Sequence, residues 1–176
     1  MKILKVLGII FLLLILGFVV LGLVKPTVKY GHTITVDRPI NEAWEIYNDD
    51  TQYSQWLKGF KSIDLISGTH GEVGSKYKVV VNPQPDQPDF EMIETVLAIE
   101  ENDHVILQFD SDMMEFVQTT NFAEKGGKTV ISTHSEVFGN GLMMKSLFAA
   151  MELFTGSFQA QEEENFNRLK TLMDNE

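Results

Sequence analysis

His134 and Glu136 are the residues of this chain whose types and spacing come nearest to catalytic chemistry. They sit two apart in Ser132-Thr133-His134-Ser135-Glu136, which puts both on one face if the segment is a strand. An imidazole beside a carboxylate can move a proton at neutral pH. Pointing inward, the pair would be an acid–base site; pointing outward, it is polar sheet surface. Val130 and Phe138 share the same parity, so alternation alone does not fix the direction, and the outward, structural role is the expectation. The other histidines add little. His32 opens the first strand, His70 lies in a Gly-rich turn, and His104 follows the Asn102-Asp103 turn. No pair has metal-ligand spacing, so no metal and no cofactor are expected. Glu91 and Glu94 are three apart and fall on opposite faces of a strand, which rules out a dyad. Glu162-Glu163-Glu164 reads as a solvated helix face. There is no Gly-x-Ser-x-Gly elbow and no phosphate-cradling glycine loop. The absence of cysteine excludes thiolate chemistry and disulfides.

The elements that must position these residues follow from charge and periodicity. The 176 residues carry a net charge of −11, against the basic face that nucleic acid requires. All acidic residues lie after residue 29, while residues 1–29 hold Lys2, Lys5, Lys25 and Lys29. Between these lysines, Val6 to Val24 is a run without a charge. As a helix it spans roughly 30 Å, the thickness of a bilayer core. The expectation is a single-pass anchor over residues 6–24. A cleaved signal peptide is the alternative, although the run is longer than the usual apolar core and Val20-Leu21-Gly22 is a poor cleavage site. Lysines on both sides leave the positive-inside rule undecided. The short tail before a long domain favours an extracytoplasmic domain. Residues 1–29 are thus read as anchor and linker, and 30–176 as one soluble domain.

Within that domain, Thr33 to Val36 reads as a strand. Ala43, Trp44 and Tyr47 mark a short helix after Pro39, and Tyr53, Trp56 and Leu57 a second. Strand candidates follow in succession. Lys76 to Asn82 places Tyr77, Val79 and Val81 on one face. Pro83, Pro85 and Pro88 break the chain before Phe90 to Glu100. His104 to Asp110 places Val105, Leu107 and Phe109 together. Glu115 to Ala123 and Lys128 to Phe138 are joined by Glu124-Lys125-Gly126-Gly127, a hairpin turn. Short turns imply an antiparallel sheet. From Leu142 to about Met173 one helix of roughly 30 residues is expected, interrupted only by Gly156. Its stripe runs Leu147, Met151, Phe154, Phe158 and on to Phe166, Leu169 and Met173.

This order resembles the START-like, or SRPBCC, superfamily. The residues that carry the resemblance are Ile34-Thr35-Val36-Asp37-Arg38-Pro39, Ala43-Trp44, Tyr47-Asn48-Asp49, Trp56 and the turn Gly71-Glu72-Val73-Gly74-Ser75. They cover roughly residues 30–173 and look most like the polyketide cyclase/dehydratase branch, which has membrane-tethered bacterial members. The resemblance implies an α+β helix-grip fold, in which a curved antiparallel sheet grips a long C-terminal helix around an apolar cavity. The walls would be Tyr77, Val79, Val81, Val105, Leu107 and Phe109 on the sheet, with Leu147, Met151, Phe154 and Phe158 on the helix. Trp56 and Phe60 would stand at the rim. These residues equally suit a filled core. The implied partner is a hydrophobic small molecule or lipid, held without catalysis. A cyclase or dehydratase using His134 and Glu136, and an interaction module with a vestigial cavity, stay open as alternatives.

Overall fold

The computed structural model describes residues 2–82 and 86–175. Pro83 and Pro85, expected in a loop, lie outside the described residues. The order is α1 (Lys2–Val24), β1 (Thr27–Tyr30), β2 (Thr33–Val36), α2 (Ile40–Asn48), a short turn of 3-10 helix (Asp50–Gln52), α3 (Tyr53–Trp56) and β3 (Phe60–Ser67). Then come β4 (Lys76–Val81), β5 (Phe90–Glu100), β6 (His104–Asp110), β7 (Met114–Lys125), β8 (Lys128–Gly139), α4 (Gly141–Thr155) and α5 (Ser157–Asn175). The strands form one antiparallel sheet of eight in the order β1-β8-β7-β6-β5-β4-β3, with β2 also on β8. This is the expected helix-grip architecture.

Two elements differ from expectation. Val28 and Lys29, read as linker, belong to β1, which pairs Thr27–Tyr30 with Ser135–Phe138. The sheet therefore starts immediately after Lys25-Pro26. The single C-terminal helix is instead two. Gly156 adopts φ 58°, a left-handed conformation, and its N–H donates to the Glu152 carbonyl. Such a residue closes a helix, and glycine pays no Cβ penalty there. The chain changes direction: α4 packs through Phe148 and Met144 at the β1–β8 side, beside Val28 and Val137, and α5 runs on to the main core.

The halves of α5 have different roles. Phe166, Leu169 and Met173 are buried with Val36, Trp44, Tyr47, Trp56, Phe122 and Ile131 in the main core. They lie at spacings of three and four, one helical stripe. Aromatic edges meet closely there, with Trp44 and Tyr47 within 5.1 and 5.3 Å of Phe122. The N-terminal half of α5 stands off from the sheet. That stand-off creates the site.

Candidate functional site

The inner faces of the strands are set by alternation. On β8, Thr129, Ile131, Thr133, Ser135 and Val137 are buried, so Val130, Ser132, His134, Glu136 and Phe138 face out. His134 and Glu136 are accordingly on the outer face. The Glu136 carboxylate accepts from Lys29 Nζ at 2.7 Å and meets His134 Nε2 at 3.1 Å. Those contacts hold its pKa below the ordinary value, with Lys29 the larger influence. The outward reading is the one found, and the pair touches neither interior cavity.

The larger interior cavity, about 300 Å³, opens between the first two turns of α5 and the sheet. Its sheet wall is apolar and includes Val79 and Val81 of β4, Phe109 of β6 and Phe116 of β7. Aromatic rings line one side in a row. Phe109 stacks on Phe116 at 5.2 Å, Phe116 faces Tyr30 at 6.4 Å, and Tyr30 faces Phe158 at 5.7 Å. The polar end is built from Gln118, Glu162 and Asn165. Gln118 Nε2 donates to Glu162 at 3.1 Å, and Ser135 Oγ donates to the same carboxylate at 3.2 Å. Burial pushes the Glu162 pKa up, and the hydrogen bonds from Thr133, Ser135 and Gln118 partly offset this.

A second cavity of about 160 Å³ lies further along the same face, near α2. Glu94 projects into it at 8% exposure, among Tyr47, Tyr53, Tyr77 and His70. Among the described residues no hydrogen-bond donor reaches its carboxylate, and burial alone raises its pKa from 4.5 to about 7. Two of the neighbouring hydroxyls have other partners. Tyr47 Oη is 2.9 Å from Thr120 Oγ1, and Tyr77 Oη accepts from Gly71 N at 2.7 Å.

The sequence-derived wall divides accordingly. Val79, Val81, Phe109 and Phe158 line the larger cavity, and Tyr77, Val105 and Leu107 the smaller. Trp56 lines neither; it is buried between Tyr47 and Phe166, at 5.7 and 5.9 Å. Leu147, Met151 and Phe154 are placed outside, at 40%, 37% and 79% exposure. The turn at Gly156 is the reason: it redirects the chain, so that α4 packs on the sheet through Met144 and Phe148, beside Val28, Val137 and Phe116, and the Leu147 stripe is left outside. The solvated reading of Glu162 is also corrected, since it is 6% exposed. Its position four residues from both Phe158 and Phe166 was the available signal, because it shares their stripe. Tyr30, Phe116 and Gln118 had no comparable signal, since their strands also read as ordinary alternation.

Two other features of the surface have simpler accounts. Glu100, Asp103 and His104 gather ligand-type atoms within 4.8 Å. They sit at the β5–β6 turn, where Asp103 and His104 pair at 2.6 Å. A wider trough of about 720 Å³ is edged by Lys78, Glu91 and Asp110 on the outer face and is open to solvent.

The family model described as polyketide cyclase / dehydrase and lipid transport matches residues 27–173. No curated protein matches in sequence. Among solved structures, a protein of unknown function from Staphylococcus aureus, SA2116, superimposes with TM-score 0.64 at 12% identity, over 84% of this chain and 93% of that one. Truncated norcoclaurine synthase from Thalictrum flavum gives TM-score 0.61 at 15% identity, over 85% and 95%. The di-domain aromatase/cyclase StfQ of the steffimycin biosynthetic pathway gives 0.67 at 8% identity over 85% of this chain, which spans about half (51%) of that protein. At these identities the likeness is one of fold. The match over residues 27–173, on the helix-grip architecture just described, makes this chain a member of the polyketide cyclase/dehydrase and lipid transport family.

Proposed function

We propose that the chain is a membrane-tethered binding protein that holds a small, largely apolar molecule in the cavity between α5 and the sheet, without covalent chemistry. The observation that carries this reading is the cavity itself: an apolar, aromatic-lined space of about 300 Å³ ending at one buried acceptor, Glu162. Ligand sites are of this kind, apolar walls with a few placed polar groups, and run upward from roughly 300 Å³. The acceptor selects the ligand's polar end. Gln118 and Ser135 already donate to Glu162, and what remains on the carboxylate is acceptor capacity. The fitting ligand therefore carries a hydroxyl or ammonium at one end of a flat apolar body. Residues 2–24 serve as the tether, and the domain that follows works beside the membrane.

The test uses the full chain in lipid nanodiscs with 1-naphthylmethylamine as probe, read by thermal unfolding. The amine should raise the unfolding temperature of wild type, and 1-naphthaleneacetate should do so much less. Val81→Trp fills the cavity and should abolish the effect. Equal responses from wild type and Val81→Trp would refute binding in this space.

A second reading rests on Glu94. A carboxyl with no hydrogen-bond donor among the described residues and a pKa of about 7, facing a cavity, is suited to general acid–base work. In that reading the protein would move a proton on a ligand reaching the smaller cavity. Loss of turnover in Glu94→Gln, with binding retained, would support it.

A further inference from the structure

The apolar stripe of α4 faces away from the sheet, and it needs an occupant. Met143, Leu147, Met151 and Phe154 lie at spacings of four, four and three, with exposures of 75%, 40%, 37% and 79%. Lys145 and Glu152, the charged side chains of this 15-residue helix, lie on the opposite side. α4 is not isolated. Gly22 of α1 is buried against it, and a Cβ at that position would collide with Ser146 Oγ and stand 2.7 Å from Ser146 N. The two backbones thus cross as closely as a glycine permits. Further along, Ala149, Glu152 and Leu153 border a groove with Lys25, Thr27 and Lys29. The helices therefore rise together, Ser146 at the level of Gly22 and Leu153 at the level of Lys25 to Lys29.

We infer that α4 is a second membrane-contacting element, standing beside the end of α1 and rising through the lipid interface, with the Met143 end of its stripe among acyl chains and the Phe154 end among headgroups. This rests on the reading of α1 as a bilayer span. The contact on α1 is in its last turn, where Gly22 lies about 3 Å before Val24 at 1.5 Å per residue. A helix of 15 residues is about 22 Å long, too short to span. Met143 is the deeper end, and Phe154, about 16 Å further along the helix, lies among headgroups. The consequence is that the domain is docked on the bilayer, not hung from a flexible linker. α5 and its cavity begin directly after α4, so the cavity is presented at the membrane surface.

The test exploits the absence of cysteine. Single-cysteine full-length proteins (Leu13→Cys, Met143→Cys, Phe154→Cys and Glu163→Cys) would be labelled with a nitrobenzoxadiazole fluorophore. They would be reconstituted in phosphatidylcholine/phosphatidylglycerol vesicles containing brominated acyl chains. Emission at positions 13 and 143 should fall at least twofold, emission at 154 less, and emission at 163 not at all. Quenching at 13 with 143 and 154 as bright as 163 would overturn the α4 assignment while leaving the anchor intact. Quenching at 143 without quenching at 13 would keep α4 as a lipid contact and remove the span. No quenching at either would remove both. Disulfide linkage between unlabelled Met143→Cys chains, together with absent quenching at 143, would give the stripe to a second copy and overturn the proposal.

Discussion

Two buried glutamates define the polarity of the interior, and they differ in how they are held. Glu162 is supported by Gln118 and Ser135, whereas Glu94 has no donor among the described residues. The difference has a pH consequence. The Glu94 pKa is raised from 4.5 to about 7, so the folded protein holds this proton more tightly than the unfolded chain does. That stabilisation is fully present below pH 4.5 and is lost as pH rises through about 7. Wild type should lose up to about 3 kcal/mol from this group across that window. Glu94→Gln should flatten the curve and be the more stable protein at pH 8, as measured by urea unfolding at pH 5 and pH 8. An unchanged slope would place the carboxyl in contact with water. At Glu162, Gln should preserve the fold and weaken naphthylmethylamine binding by roughly tenfold, through loss of a charge-assisted hydrogen bond. Sequence alone identified Glu94 as separate from Glu91 but gave no sign of its burial. Inner parity shows only once β4 pairs Tyr77 with Glu94.

Among the elements, α4 and α5 show how one residue redirects a stripe. Leu142 to Met173 reads as one amphipathic helix because its apolar positions keep helical phase almost throughout. Gly156 breaks the direction without breaking that phase, so Phe158, Phe166, Leu169 and Met173 stay with the sheet while Leu147, Met151 and Phe154 leave it. The strands were more legible. Tyr77, Val79, Val81, Val105, Leu107 and Phe109 all face inward as their alternation requires. The long β5 read as mixed because its pairing shifts between Val96 and Ala98, which resets the inner face to Ile99. β1 was not legible, since four residues with one lysine carry too short a pattern. A direct check on the helix break is Gly156→Ala. A Cβ in the left-handed region costs roughly 1–2 kcal/mol, and the substitution should lower stability by about that amount. A stability gain would mean that the helices can fuse, which would return the α4 stripe to the sheet.

At the scale of the whole molecule, an apolar helix, an amphipathic helix and a cavity follow one another in space. α1 has a mean hydropathy of 3.2 over its apolar window and only 6% of that window is buried, which makes it long and apolar enough to cross a membrane. A buried core helix would not leave nearly all of this surface open. The full-length protein should therefore stay in the membrane pellet through an alkaline carbonate wash; release into the supernatant would remove the tether. The central claim is that the space under α5 holds a small apolar molecule. Its most direct test is native mass spectrometry of the full chain released from detergent, wild type beside Val81→Trp. The account predicts wild type carrying a co-purified small molecule and Val81→Trp equally folded but empty. Wild type at its bare polypeptide mass, with Val81→Trp destabilised by the roughly 1–3 kcal/mol of an overpacked core, would contradict it.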